Sequence, residues 1–338
     1  MKILIGGDIS VVDSAELYQN LETEKLFNDV LDEFKKADEV IVNLECAVTD
    51  STNEIKKFGP CLKAPVNTCK TLKKAGVTLC ALSNNHIFDF GREGLSDTVK
   101  YLNESNLPYT GIGKNYQDSR KDYVIEREGK KIAIINVCEH EYSTALEDRV
   151  GARPYDPYET NDDIVKAKQS ADYVIVIYHG GKEHSRYPSP RLIKLCRSMI
   201  KHGADVVLCQ HSHCIGAYEE FMGGHILYGQ GNFHFIKAEK TEEMWNTALL
   251  VDIEITDKLT FKMIPTVVDG LGIKKCDKAL ADKIFAEIDK RGEELKDGTW
   301  LEKWRETCAT YGVYNFVPEN IRDLLGHFIE CEAHLDVL

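Results

Sequence analysis

His211 and His213 stand two residues apart directly after the apolar run 206–209, at the point where a buried strand has to end. Past a strand end the backbone is free to turn, so both rings can be aimed into one site, which is the spacing of metal ligands. The same arrangement recurs along the chain. Asp8 follows the short apolar run 3–5 and two glycines, and Glu45 closes the run 40–44. Asn84, Asn85 and His86 follow 77–82, with Asp89 three residues on, and His179 closes 173–178. Imidazole, carboxylate and amide oxygen together suit Mn²⁺, Zn²⁺ or Fe²⁺, whereas an all-oxygen set would indicate Mg²⁺ or Ca²⁺.

Something must carry these residues to one place. In a parallel α/β sheet the C-terminal strand ends line a single crevice, so apolar runs alternating with helices give them a reason to converge. The pattern supplies both. Helices are expected near 26–34, from Asn67 to Gly76, over 95–102 and 162–170, and from Ser189-Pro190 to Gly203, where serine caps and proline starts the first turn. A hairpin turns at Glu128-Gly129-Lys130 and a second at Met222-Gly223-Gly224, and 247–254 with 259–264 reads as an antiparallel pair. Helix–strand alternation early and hairpins late predict a mixed sheet, or two sheets packed together and flanked by helices. From about residue 275 the periodicity becomes helical, with Leu280, Ile284, Phe285 and Ile288 in one stripe and Ile321, Leu324, Leu325, Phe328 and Ile329 in another. Residues 1–270 are therefore expected to form the main domain and 271–338 a C-terminal helical extension packed on it.

The chain of 338 residues is long enough for one large α/β domain with a smaller appendage. A net charge of −13 repels phosphate backbones, so nucleic acid is not an expected partner. The eleven cysteines include no C-x-x-C pair and sit largely in apolar runs, which reads as free buried thiols in a reducing cytoplasm. No segment has the length of a membrane span, and the N-terminal apolar run is too short for a signal sequence. A soluble cytoplasmic protein of unspecified oligomeric state is the expectation.

Six short motifs occur in a fixed order: Gly7-Asp8, Asn43-Leu44-Glu45, Asn84-Asn85-His86 with Asp89, His179-x-Gly181-x-Glu183, His211-x-His213 and Gly231-Asn232-Phe233. Over residues 1–265 this order resembles the CapA-like capsule synthesis proteins, named for bacterial poly-γ-glutamate capsule assembly, within the calcineurin-like metallophosphoesterase superfamily. The resemblance implies a four-layer α/β/β/α sandwich and two metals bridged by a carboxylate. Glu45 would bridge, Asp8 and His213 would hold one ion, and Asn85, His179 and His211 the other. His86 would steady developing charge or protonate a leaving group, with Asp89 and Glu183 as supporting carboxylates, and Asn84, Arg186 and Asn232 would touch substrate. The implied activity is hydrolysis of a phosphoester or amide bond in a capsule or envelope polymer or its precursor, by water activated on one or two divalent transition-metal ions. The implied partner is an anionic polymer or a small phosphorylated or γ-glutamyl substrate. The alternative is an accessory protein that binds metal and polymer without turnover. Two positions depart from the superfamily pattern. Ser10 stands where a histidine ligand is usual, and the bridging carboxylate is Glu45 in place of aspartate.

Overall fold

The computed structural model describes residues 1–57, 59–139 and 141–311, together with Ile321. The stripe at Leu324, Leu325, Phe328 and Ile329 lies outside the described residues.

Two mixed sheets face each other. In the first, the parallel strands Lys2–Ser10, Glu39–Leu44, Leu79–Ala81 and Tyr109–Thr110 lie in that order. Antiparallel Thr247–Ile255 joins Lys2–Ser10 on its other side, followed by Leu259–Asp269 and Gly272–Lys275. In the second sheet, parallel Lys130–Cys138, Tyr173–His179, Val206–Gln210 and Gly224–Leu227 are edged by antiparallel Tyr123–Arg127 and Tyr218–Phe221. The main sheet thus continues to Lys275, past the boundary at 270 expected from the sequence.

Alternation along the strands divides the apolar residues into three cores, because successive side chains point to opposite faces. Ile3, Ile5, Ile41, Leu79 and Ala81 of the first sheet meet Ile132, Ile134, Ile175, Ile177, Val206 and Leu208 of the second. The intervening residues face outward. Leu4, Val40, Val42 and Cys80 pack under Leu72 of helix Thr68–Ala75 and Leu95 and Leu102 of helix Gly91–Glu104. On the far side Val174, Val176 and Val207 pack under Ile164 of helix Thr160–Ser170 and Leu195, Cys196 and Met199 of helix Pro190–Lys201. Four layers, α/β/β/α, follow directly. Each fully buried aliphatic side chain contributes roughly 1.5–3 kcal/mol, so three such cores hold the strand ends firmly.

The start at Ser189 is as expected, with Oγ accepting the Leu192 N–H at 3.0 Å, and Gly76 ends its helix in a left-handed turn, whereas Asn67 makes no side-chain cap and the helices expected from 95 and 162 begin at Gly91 and Thr160. The stretch 26–34 is broken into short pieces, Thr23–Phe27, Asn28–Val30 and Leu31–Phe34, with Asn28 at φ 42°. Helix Lys278–Asp297 places Ile284 and Ile288 in the inter-sheet core. The ten described cysteines are free. Among the described residues no helix is long and apolar enough to cross a membrane.

Candidate metal centre

The inter-sheet face turns polar one step beyond its last aliphatic residue. Following Ile175 and Ile177 on that face comes His179; following Ile41 come Asn43 and Glu45; following Val206 and Leu208 comes Gln210. One strand needs a correction to join them. In Lys2–Ser10 the odd residues Ile3 and Ile5 face the other sheet, but past a register shift between Ile5 and Asp8 the odd residue Ile9 packs on the helical side. The shift is a β-bulge, and it moves Asp8 and Ser10 onto the inter-sheet face. Gly6 and Gly7 allow it, since a Cβ would lie 2.7 Å from the Phe233 ring or from the Gly231 carbonyl respectively.

The result is a buried cluster. His179 Nε2 lies 3.0 Å from Asn85 Oδ1 and 3.4 Å from Glu45 Oε1, while its Nδ1 lies 3.5 Å from Asp8 Oδ1. Ligand atoms of Glu45, His179 and His211 all fall within 4.8 Å of one another. Asp8 accepts the Asn43 amide at 2.6 Å and the His211 backbone N–H at 2.9 Å. His211 and His213 both have left-handed backbones, φ 83° and 55°, which is how an i, i+2 pair is swung inward from one strand end. His213 is fixed by Asn232 Oδ1 at 2.8 Å from its Nδ1 and by the Trp245 ring, 4.8 Å between centroids.

Burial alone would lower the His179 pKa, but Glu45 and Asp8 outweigh it and raise it to about 10. Burial, with the neighbouring His179 and His213, pushes His211 well below its usual value. Asp8 is held low against its own burial, chiefly by His179. Protonation is thus favoured at the His179 ring and disfavoured at the His211 ring. A raised pKa means that the proton on His179 favours the folded state. That stability is complete below about pH 6.5 and is lost as pH rises through about 10. A divalent ion held at His179 Nε2 would displace the proton, so chelator-treated protein is expected to release about one proton per ion bound at pH 8. Calorimetric titration in two buffers of different ionisation enthalpy measures it, and an identical heat in both would refute the assignment.

The residues fit a divalent cation. Among the described residues, both Glu45 carboxylate oxygens, His211 Nδ1 and Ser10 Oγ are closed off from solvent without a hydrogen-bond partner. A buried carboxylate left in that condition is costly, and a cation removes the cost.

Beside the cluster His86, Asp89 and Lys57 form a second unit. His86 Nδ1 lies 2.6 Å from Asp89 Oδ2, and Lys57 Nζ lies 2.7 Å from Asp89 Oδ1 and 3.2 Å from His86 Nδ1. Asp89 therefore orients the ring, and His86 Nε2 has no hydrogen bond among the described residues. Glu183 stands at the rim, 44% exposed in its side chain, with Oε1 3.9 Å from His211 Nε2.

The three residues expected at the substrate each have partners within the protein. Asn84 is fully buried, donating its amide hydrogens to Asn43 Oδ1 and the Leu44 carbonyl while its Oδ1 accepts the His86 N–H. Asn232 spans His213 and the Trp245 carbonyl. Arg186 pairs with Glu287 at 3.4 Å, on the long C-terminal helix. Four residues escaped the sequence reading as participants. Glu139 and Glu141 approach His211 Nε2 at 3.7 and 3.9 Å, and they carry the same cue as the others, a carboxylate just past a strand end. Asn43 was visible only inside its motif. Lys57 lies in a loop with no periodicity to mark it, although its side chain is almost fully buried.

The profile of the family described as bacterial capsule synthesis protein PGA_cap matches residues 2–237. The chain belongs to this family. It is 31% identical over 301 residues to a capsule biosynthesis protein CapA of Bacillus anthracis, covering 85% of this chain and 72% of the relative. It is 30% identical over 217 residues to a PGA biosynthesis protein CapA of Bacillus subtilis (strain 168), covering 63% of this chain and 57% of that protein. A solved structure of a candidate 5'-nucleotidase from Staphylococcus aureus in complex with alpha-ketoglutarate matches at TM-score 0.50 and 15% identity, over 86% of this chain and 58% of the other. That likeness concerns the fold, which is metallophosphoesterase-like. The family match ends at residue 237, close to the last of the six motifs, so it covers Asp8, Glu45, Asn85, His179, His211 and His213, while Trp245 lies beyond it.

Proposed function

We propose that this chain is a metal-dependent hydrolase of the capsule synthesis family, acting on an amide or phosphoester bond of a carboxylate-rich polymer or its precursor. The observation that carries the proposal is Glu45, a completely buried carboxylate whose two oxygens accept no hydrogen bond among the described residues and which is set among His179, His211 and Asn85. A divalent ion of the Mn²⁺, Zn²⁺ or Fe²⁺ type held there supplies Lewis acidity and a water of near-neutral pKa. Glu45, Asn85, His179 and His211 would hold one ion, and Asp8 and His213 with Glu45 a second. Ser10 adds no imidazole to that second set. His86, its Nδ1 fixed by Asp89, keeps Nε2 for proton delivery to the leaving atom, and Lys57 balances the Asp89 charge.

Metal analysis of the purified protein, coupled to release assays on aryl phosphomonoesters, aryl phosphodiesters and γ-linked glutamate oligomers, tests the reading. The expected result is about one to two equivalents of transition metal, cleavage of at least one class, and loss of both in His211→Ala. Turnover in His211→Ala equal to wild type would end the metal-hydrolase reading. Metal binding without cleavage would favour the second reading, a polymer-binding accessory protein. What supports that alternative is Ser10, whose hydroxyl has no hydrogen-bond partner among the described residues and stands on the face where another imidazole would complete the second set.

A further inference from the structure

A cleft of about 610 Å³ opens next to the metal cluster, between helix Pro190–Lys201 and the end of Tyr173–His179, and Glu139 is common to both. One Glu139 oxygen points to His211, 3.7 Å away. The other accepts the Gly181 N–H at 3.2 Å and lies 3.8 Å from Arg191 in the cleft. Gly180 keeps the seam between them open, since a Cβ there would be 2.9 Å from both the Glu139 carboxyl carbon and the Tyr178 ring.

The cleft combines two chemistries. Tyr155 and Tyr178, edge to face at 5.8 Å, line an apolar wall with Leu195. Arg191 and Lys194 form a cationic lip. Lys194 has no carboxylate partner among the described residues, Arg191 has only Glu139 at a distance too long for a hydrogen bond, and neither tyrosine hydroxyl has a hydrogen-bond partner among them. On a chain of net charge −13 the cleft thus gathers two cations, one without a described carboxylate partner and one only 3.8 Å from Glu139, beside two tyrosine hydroxyls with unused hydrogen-bonding capacity. A ligand with aliphatic stretches and repeated carboxylates satisfies both parts, as methylenes lie on the aromatic faces and carboxylates reach the cations.

We propose that this cleft is a second binding subsite, which holds pendant carboxylates of a polymer chain whose neighbouring link lies at the metal cluster. The inference deepens the proposed function and rests on it for the link that is cleaved. It selects a polymeric polycarboxylate such as a γ-linked glutamate chain over a small phosphoester, which needs only the metal cluster.

The test is anisotropy of a fluorescently labelled γ-linked glutamate oligomer on the full chain loaded with Mn²⁺, with polyphosphate as a polyanion that lacks methylenes. Arg191→Glu/Lys194→Glu, and more mildly Arg191→Ala/Lys194→Ala, are expected to weaken oligomer binding about tenfold or more with Mn²⁺ content unchanged. Polyphosphate is expected to compete poorly against the wild type. Unchanged affinity in the charge-reversed variant overturns the subsite, and so does equal competition by polyphosphate, which would reduce it to general polyanion attraction. The binding readout stays separate from turnover: if His211→Ala cleaves as wild type does, the hydrolase reading falls while the effect at Arg191 and Lys194 can still be seen.

Discussion

Glu45→Gln is expected to empty the metal centre and leave the fold standing. The substitution keeps the side-chain volume and removes a buried negative charge that accepts no hydrogen bond among the described residues and faces His179 at 3.4 Å. Losing a residue that merely orients a ligand costs about 10–100-fold in metal affinity, so removal of the central carboxylate should exceed about 100-fold, with turnover falling at least as far. The metal-free protein should melt within a few degrees of wild type, because His179 retains Asp8 at 3.5 Å as a charge partner and the three aliphatic cores are untouched. Metal content after dialysis, read beside a thermal melt of chelator-treated protein, separates the two effects. Retention of stoichiometric metal would show that Glu45 is a buried structural carboxylate and would remove the basis of the proposed function.

His86→Ala should have the opposite profile. Its ring hydrogen-bonds Asp89 and Lys57 and is not a member of the cluster around His179, so metal content should be unchanged while the rate drops by about 10²–10⁴, the usual worth of a positioned acid or base. Asp89→Asn should lose less, since the ring keeps its place but not its orienting charge. The discriminating measurement is a leaving-group series. For a proton donor, the defect in His86→Ala shrinks as the leaving group becomes more acidic. A defect constant across the series would mean that His86 acts on metal or substrate binding.

Much of this architecture can be read from residue order, and the reasons are local. Apolar runs bounded by helices mark the strands, Ser189-Pro190 marks a helix start, and ligand-type residues directly after a run mark the crevice, as at Glu45, His179 and His211. What depends on tertiary contact is hidden. Nothing in the string Gly6-Gly7-Asp8 announces a shift of register, which becomes evident only when Ile9 is found packed among the helices. Nor does the sequence reveal that Asn84 and Asn232 hydrogen-bond to neighbouring groups of the protein, because an asparagine in a turn and one at a ligand have the same neighbours in sequence. Lys57 is hidden for a different reason: a loop lysine is ordinarily solvated, and only the folded chain presses this one against Asp89. Glu139 was legible by the rule that found Glu45 and was passed over because the loop after it is long and polar.

The bulge ahead of Asp8 also bears on how members of such a family can be compared. Because one extra residue decides whether position 8 looks toward the opposing sheet or toward the helices, the ligand set depends on chain length as well as on side-chain identity. A relative with every motif letter intact but one glycine fewer before its aspartate would preserve the strand pairing and turn its carboxylate into the helical layer. Such a chain would pass any comparison of motifs and still hold no ion at that position. Counting residues between Ile5 and Asp8 is therefore a sorting test for relatives, and it needs nothing beyond an ungapped stretch of sequence.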